Sequence, residues 1–210
     1  MSGASDRSCG WGFGRRFAGA RRRGRLGLAA LLLGLFCVGP LSGSFAGEVE
    51  PDPVDRPGAA ALVQQAVEEA EAAAAAARIV ADQAEMAAQS ATAEHLTWDS
   101  GHTYSGQGYN NYANGLGVMS YPDGSVHAGQ RANHNARNGY GVETYGDGNR
   151  YEGEFANDVR DGFGVFYYTD GSLYQGHFRD DWRNGFGRII YPDGAVANGW
   201  WQDDDLVEFY

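Results

Sequence analysis

Apolar and polar residues change rhythm twice along the chain. Residues 26–39 (LGLAALLLGLFCVG) are an unbroken apolar run of 14 residues. Residues 59–96 hold no proline or glycine and are dominated by alanine; Val63, Val67, Ala70, Ala74, Ala77, Ala81, Ala84, Ala88 and Ala91 recur at alternating steps of four and three. Alanine is the best helix former and that spacing is a heptad seam, so one long helix over 59–96 is predicted. From Trp98 onward, short β-prone runs such as 164–168 (GVFYY) and 172–176 (SLYQG) alternate with turn residues, the rhythm of strands and tight connections.

The strand region repeats. Gly101, Gly124, Gly148, Gly171 and Gly194 follow one another at steps of 23, 24, 23 and 23. Gly-x-Gly pairs at 115/117, 139/141, 162/164 and 185/187 keep the same period, as do Gly106, Gly129, Gly153, Gly176 and Gly199. One extra residue falls between Gly129 and Gly139. The turn residues Asp123, Gly124, Asp147, Gly148, Asp170, Gly171, Asp193 and Gly194 close four hairpins, with Asp favouring the bend and Gly taking its left-handed position. Each unit then reads as one β-hairpin followed by a polar loop such as 156–161. A lone hairpin is marginal in water, so stacking into a continuous sheet is required.

Tyr151-Glu-Gly-Glu-Phe155, Asp161-Gly-Phe-Gly164 and Tyr168-Thr-Asp-Gly171 together resemble the membrane occupation and recognition nexus (MORN) repeat. Tyr174-Gln-Gly-His-Phe178 with Asn184-Gly-Phe-Gly187 and Tyr191-Pro-Asp-Gly194 is equally similar. The unit from His127 departs from the pattern, with His127 for Tyr, Arg131 for Trp, and the extra residue. The resemblance implies a mainly β fold: an elongated, solenoid-like single antiparallel sheet of stacked hairpins, preceded by the Ala-rich helix. Four repeats plus terminal half repeats would fill a 97–210 domain.

The N-terminus has another grammar. Seven arginines precede residue 26 with one acid, Asp6; the apolar run follows, then Pro40 and a small-residue stretch ending Ser44-Phe45-Ala46. This order predicts a secretory signal peptide over 1–46. The alternative is an uncleaved anchor touching the membrane through residues 26–39. Either reading places the remainder outside the cytoplasm, periplasmic or secreted if cleaved, membrane-anchored otherwise. Residues 47–58, with Pro51, Pro53 and Pro57 among acids, read as a flexible acidic linker.

Charge narrows the function. The chain carries 16 Lys+Arg against 27 Asp+Glu, a formal −11, and every cation is arginine. From Trp98 on there are seven arginines and 16 acids. Nucleic acid as main partner is excluded by that balance, and anionic headgroups are repelled. Mean hydropathy of −0.45 excludes a multi-span membrane protein.

No catalytic residue, cofactor or metal is expected. The recurring acids are explained by turns, loop acids 158, 161, 180 and 181 by solvation, and the five histidines lack ligand spacing. The function expected is an exported, non-catalytic scaffold binding an unidentified protein partner through an aromatic-lined sheet face. The expected partner-binding residues are Tyr151, Phe155, Tyr174, Phe178 and Trp201, with Arg160 and Arg183 at matching positions. Alternative readings are an envelope- or membrane-associated module and a carbohydrate- or peptidoglycan-binding sheet. The helix over 59–96 is either a solvated spacer or a self-association element, packed loosely on the sheet or not at all.

Overall fold

A computed structural model describes residues 58–210. The expected signal peptide or anchor and nearly all of the linker lie outside the described residues. The chain first forms helix α1 (Ala59–Ala88), then eleven strands: β1 (Glu94–Thr97), β2 (Thr103–Tyr109), β3 (Tyr112–Ser120), β4 (Val126–Ala132), β5 (Ala136–Thr144), β6 (Arg150–Ala156), β7 (Val159–Tyr167), β8 (Leu173–Arg179), β9 (Trp182–Ile190), β10 (Val196–Gln202) and β11 (Asp205–Phe209). They make one open antiparallel sheet in sequence order, each strand paired with its neighbours in the chain. The mainly β, single-sheet expectation therefore holds.

The connections differ from the expected hairpin-plus-loop unit. The Tyr-x-Asp-Gly turns close as read: Gly171 N donates to Tyr168 O at 3.0 Å, and Gly171 has φ +89°. The polar loops between them are tight hairpin turns too. Asn110–Asn111, Asn157–Asp158, Asp180–Asp181 and Asp203–Asp204 all have positive φ at both positions, the left-handed pair that joins twisted strands in two residues. The extra residue of the second unit makes this turn three residues, Asn133, His134 and Asn135, all with positive φ. The strand register continues past it, Gly129 still facing Gly141.

The helix ends at Ala88, short of the expected 96. Beyond it Ser90 turns the chain, with Ala93 N donating to Ser90 O at 3.0 Å and Thr92 N to Ser90 Oγ at 3.2 Å. Ser and Thr compete for backbone groups in this way and disfavour helix interiors. Residues 94–97 alternate half-buried and exposed, which suits an edge strand, and pair with β2.

The helix is not loose, which corrects the second expectation about it. Ala70, Ala74, Ala77 and Ala84 are fully buried, and Val63 and Val67 nearly so. Ala77, Ala81 and Ala84 pack on Ala128 and Val142; Ala70 and Ala74 pack on Val165. The heptad seam is thus real, and its partner is the sheet of the same chain. Polar contacts pin the helix along its length: Arg188 donates to Gln64 at 3.3 Å, Gln175 to Glu71 at 2.7 Å, and Arg78 pairs with Glu152 at 2.7 Å. Leu116, Tyr140 and Phe163, the middle residues of the first three Gly-x-Gly pairs, lie on this helix-covered side.

Candidate functional site

The face opposite α1 is organised by glycine. Gly164 lies directly across from Gly153, and Gly187 across from Gly176. A Cβ on Gly164 would meet the Tyr151 hydroxyl at 2.5 Å, and one on Gly187 the Tyr174 hydroxyl at 2.4 Å. Each tyrosine therefore lies flat over a bare glycine pair. Its hydroxyl donates to a carbonyl three residues on: Tyr104 to Gln107 O, Tyr151 to Glu154 O, Tyr174 to His177 O, at 2.6, 3.0 and 3.2 Å. The Tyr-x-Gly and Gly-x-Gly motifs are two halves of one packing device. Burial raises the tyrosine pKa values, that of Tyr104 to about 12.

Between and beside these tyrosines stand Phe155, Phe178 and Trp201. His127, Phe155, Tyr151, Phe178, Tyr174 and Trp201 form a continuous zigzag of edge-to-face rings, centroids 5.0–5.3 Å apart. Such pairs each contribute about 0.5–1.5 kcal/mol beyond area burial. Arginines close over them. Arg160 lies 5.3 Å from the Phe178 ring and 5.0 Å from Phe166, and Arg183 lies 4.3 Å from Trp201.

The arginines are held from the next unit. Arg160 N and Nε donate to Asp181 Oδ1 at 2.9 and 3.1 Å; Arg183 N and Nε donate to Asp204 Oδ1 at 2.8 and 2.9 Å. Arg137 N donates to Asp158 Oδ1 at 2.8 Å, and Ala113 N to Asn135 Oδ1 at 2.7 Å. A turn residue thus clamps the backbone 21 or 22 residues earlier at four successive joints. Asp158 and Asp181 are not idle solvated charges, and Asp204 makes the same clamp.

The expected binding residues divide on this geometry. Tyr151, Phe155, Tyr174, Phe178 and Trp201 come together as predicted, but inside, each no more than 3 % exposed. The expectation that they face a groove is corrected: zigzag stacking and the arginine lids bury them. Arg160 and Arg183 remain at the surface of this face, with side chains 18 % exposed. The turn tyrosines Tyr121, Tyr145 and Tyr168 are half-buried beside them. Asp123, Asp147, Asp170 and Asp193 act as turn residues: each carboxylate accepts the backbone N–H two residues on, at 2.7–2.9 Å.

Two cavities open in line on this face. One of about 340 Å³ is lined by residues including Trp98, Met119, Tyr121, Arg131 and Arg137. One of about 410 Å³ is lined by residues including Arg137, Tyr145, Arg160, Phe166 and Asp181. Sequence reasoning missed Arg137, Asp158, Asp181, Asp204 and Glu143. The signal was present: arginines 137, 160 and 183 and aspartates 158, 181 and 204 both repeat every 23 residues.

Among the described residues no group of three or more His, Cys, Asp or Glu side chains converges to hold a metal. The family model of the MORN repeat matches residues 104–126, 133–150, 151–173 and 174–196. Three of these matches begin on a tyrosine of the buried series, and the stretch skipped, 127–132, contains His127 and Arg131. A comparison with curated proteins found no match.

Proposed function

We propose that these MORN repeats form a non-catalytic scaffold, exported from the cytoplasm, that binds a protein partner along the sheet face opposite α1. MORN repeats are binding modules, and this array is built to leave one face available. The observation that carries the reading is the asymmetry of cover. The helix lies across one side from β2 to β10, with cavities of about 280 and 350 Å³ along its edges, while the other side carries no helix and keeps two cavities that share Arg137 and are rimmed by Arg160, Tyr121 and Tyr145. Tyr and Arg are the usual anchors of protein interfaces. Small contributions from successive units would sum along an extended segment. Export is read from the order of arginines, apolar run and small residues before Gly47.

A photo-crosslinking amino acid at Tyr145 or Tyr168, and separately at Ile79 on the exposed side of α1, tests the reading in the native cell. One protein should crosslink from the two groove positions and not from Ile79. Crosslinks from Ile79 alone, or none from the groove, would overturn it.

A further inference from the structure

The second unit changes character at the positions that are aromatic or aliphatic elsewhere. His127 occupies the place of Tyr151 and Tyr174, and Glu143 faces it where Phe166 faces Tyr151. Arg131 stands where Phe155 and Phe178 stand, opposite Arg137. Arg131 is 3 % exposed. It donates to the Tyr121 hydroxyl at 2.8 Å and to the Asn135 carbonyl, and its Nε has no partner. None of the ion pairs among the described residues includes it. Arg137, by contrast, is met by both Glu143 and Asp158.

A buried cation without a counter-charge is costly, and a phenylalanine there would continue the ring series at no such cost. Stability therefore does not account for Arg131. It lines the 340 Å³ cavity, whose other walls include Trp98, Met119, Tyr121, Asn135 and Arg137. The stretch that carries it, 127–132, is also the stretch within 104–196 that departs from the repeat pattern.

We propose that this cavity receives the carboxylate side chain of a partner segment, with Arg131 as its counter-charge. The proposal rests on the reading of this face as the partner surface. A planar guanidinium fork matches a carboxylate. Trp98 and Met119 offer an apolar wall to the methylene stem. Asp158 at the rim is half exposed, and one uncompensated cation suits one negative charge better than a phosphate dianion or an anionic membrane.

The test is arginine Nε–H NMR on the full chain, titrated with blocked tetraglutamate and with blocked tetraglutamine. Titration runs to about 10 mM, tenfold above the ~1 mM expected of a few weak contacts. Tetraglutamate should shift the Arg131 signal and the Trp98 indole signal; tetraglutamine should not. Arg131→Phe should melt at or above the wild-type temperature while the Trp98 response disappears. No shift with tetraglutamate, an equal shift with tetraglutamine, a retained Trp98 response in Arg131→Phe, or a response to phosphatidylglycerol vesicles alone would each overturn the proposal. Groove crosslinks to a protein without a tetraglutamate response would sink this inference and leave the scaffold reading standing. A tetraglutamate response without groove crosslinks would leave a carboxylate-binding cavity but sink the scaffold reading, and with it the partner segment.

Discussion

Asp181 and Arg160 lie in neighbouring repeats and hold each other from both sides. Arg160 N donates to the Asp181 carboxylate, Asp181 N donates back to Arg160 O at 3.0 Å, and the guanidinium reaches both the carboxylate and carbonyl of Asp181. The aspartate sits at φ +71°, so the turn that positions it is left-handed. One residue thus sets a hairpin bend, a joint between units and the pose of an arginine lid.

Asp181→Ala should therefore destabilise the array by about 1–2 kcal/mol, from the two hydrogen bonds its carboxylate accepts from Arg160 at a half-exposed site and from alanine's poorer fit to positive φ. Asp181→Asn should recover most of that loss, because Asn135 performs the same clamp on Ala113 N. Chemical denaturation of the three proteins checks the order; an Asn variant as weak as the Ala variant would refute the clamp.

Gly164→Ala should be far worse than either turn mutation. Its Cβ would sit 2.5 Å from the Tyr151 hydroxyl, and the ring is fully buried and cannot swing away. A loss of about 3 kcal/mol or more, or failure to fold, is expected. Gly171→Val should cost about 1–3 kcal/mol through its φ of +89°, since only Pro192 lies near, at 3.9 Å. Asp170→Ala, losing one acceptor for Ser172 N, should cost about 0.5–1.5 kcal/mol. Thermal melts should rank the three in that sequence.

His127 gives the fold an acid-sensitive point. Complete burial, then the nearby Arg131 and Arg137 charges, push its pKa well below the ordinary value of 6.5. The folded ring stays neutral while the unfolded ring protonates, so stability is complete above 6.5 and falls as pH drops below it, by up to about 1.4 kcal/mol per pH unit. Glu143, raised by burial, works in the opposite direction, losing stabilisation as pH rises. The comparison with His127→Tyr isolates the histidine: this variant should melt higher at pH 5 than the wild type, with the gap narrowing above pH 6.5. A constant gap would remove the histidine from the account.

On the helix, Ala77→Leu should destabilise by about 1–3 kcal/mol, because Ala77 is fully buried against Ala128 and Val142. Ala75→Leu, on the exposed side, should leave the melting temperature nearly unchanged. Equal effects would mean that the helix is not seated on the sheet.

The glycine series made the sheet and its turns legible, because each glycine answers a local demand: a left-handed bend or a ring lying on bare backbone. The seam from Val63 to Ala84 was legible as a stripe but not as a contact, since a stripe does not say what lies against it. The burial of Tyr151 and Phe178 was hidden because it depends on arginine lids and on rings from adjacent units. The roles of Asp158 and Asp181 were hidden for the same reason. Their partners stand 21 residues away, and only the register brings them together.

The way α1 crosses the sheet has a consequence for how many units the protein can carry. Its 30 residues measure about 45 Å. The nine strands from β2 to β10 occupy about 38 Å at the usual spacing of about 4.8 Å. The helix is a ruler laid across the array, and its length and the unit count are matched. Inserting one more repeat would add about 10 Å of sheet and leave two strands bare unless about six or seven residues were added to the helix. Growth by simple duplication, the ordinary route for repeat proteins, is here tied to a second element that does not repeat.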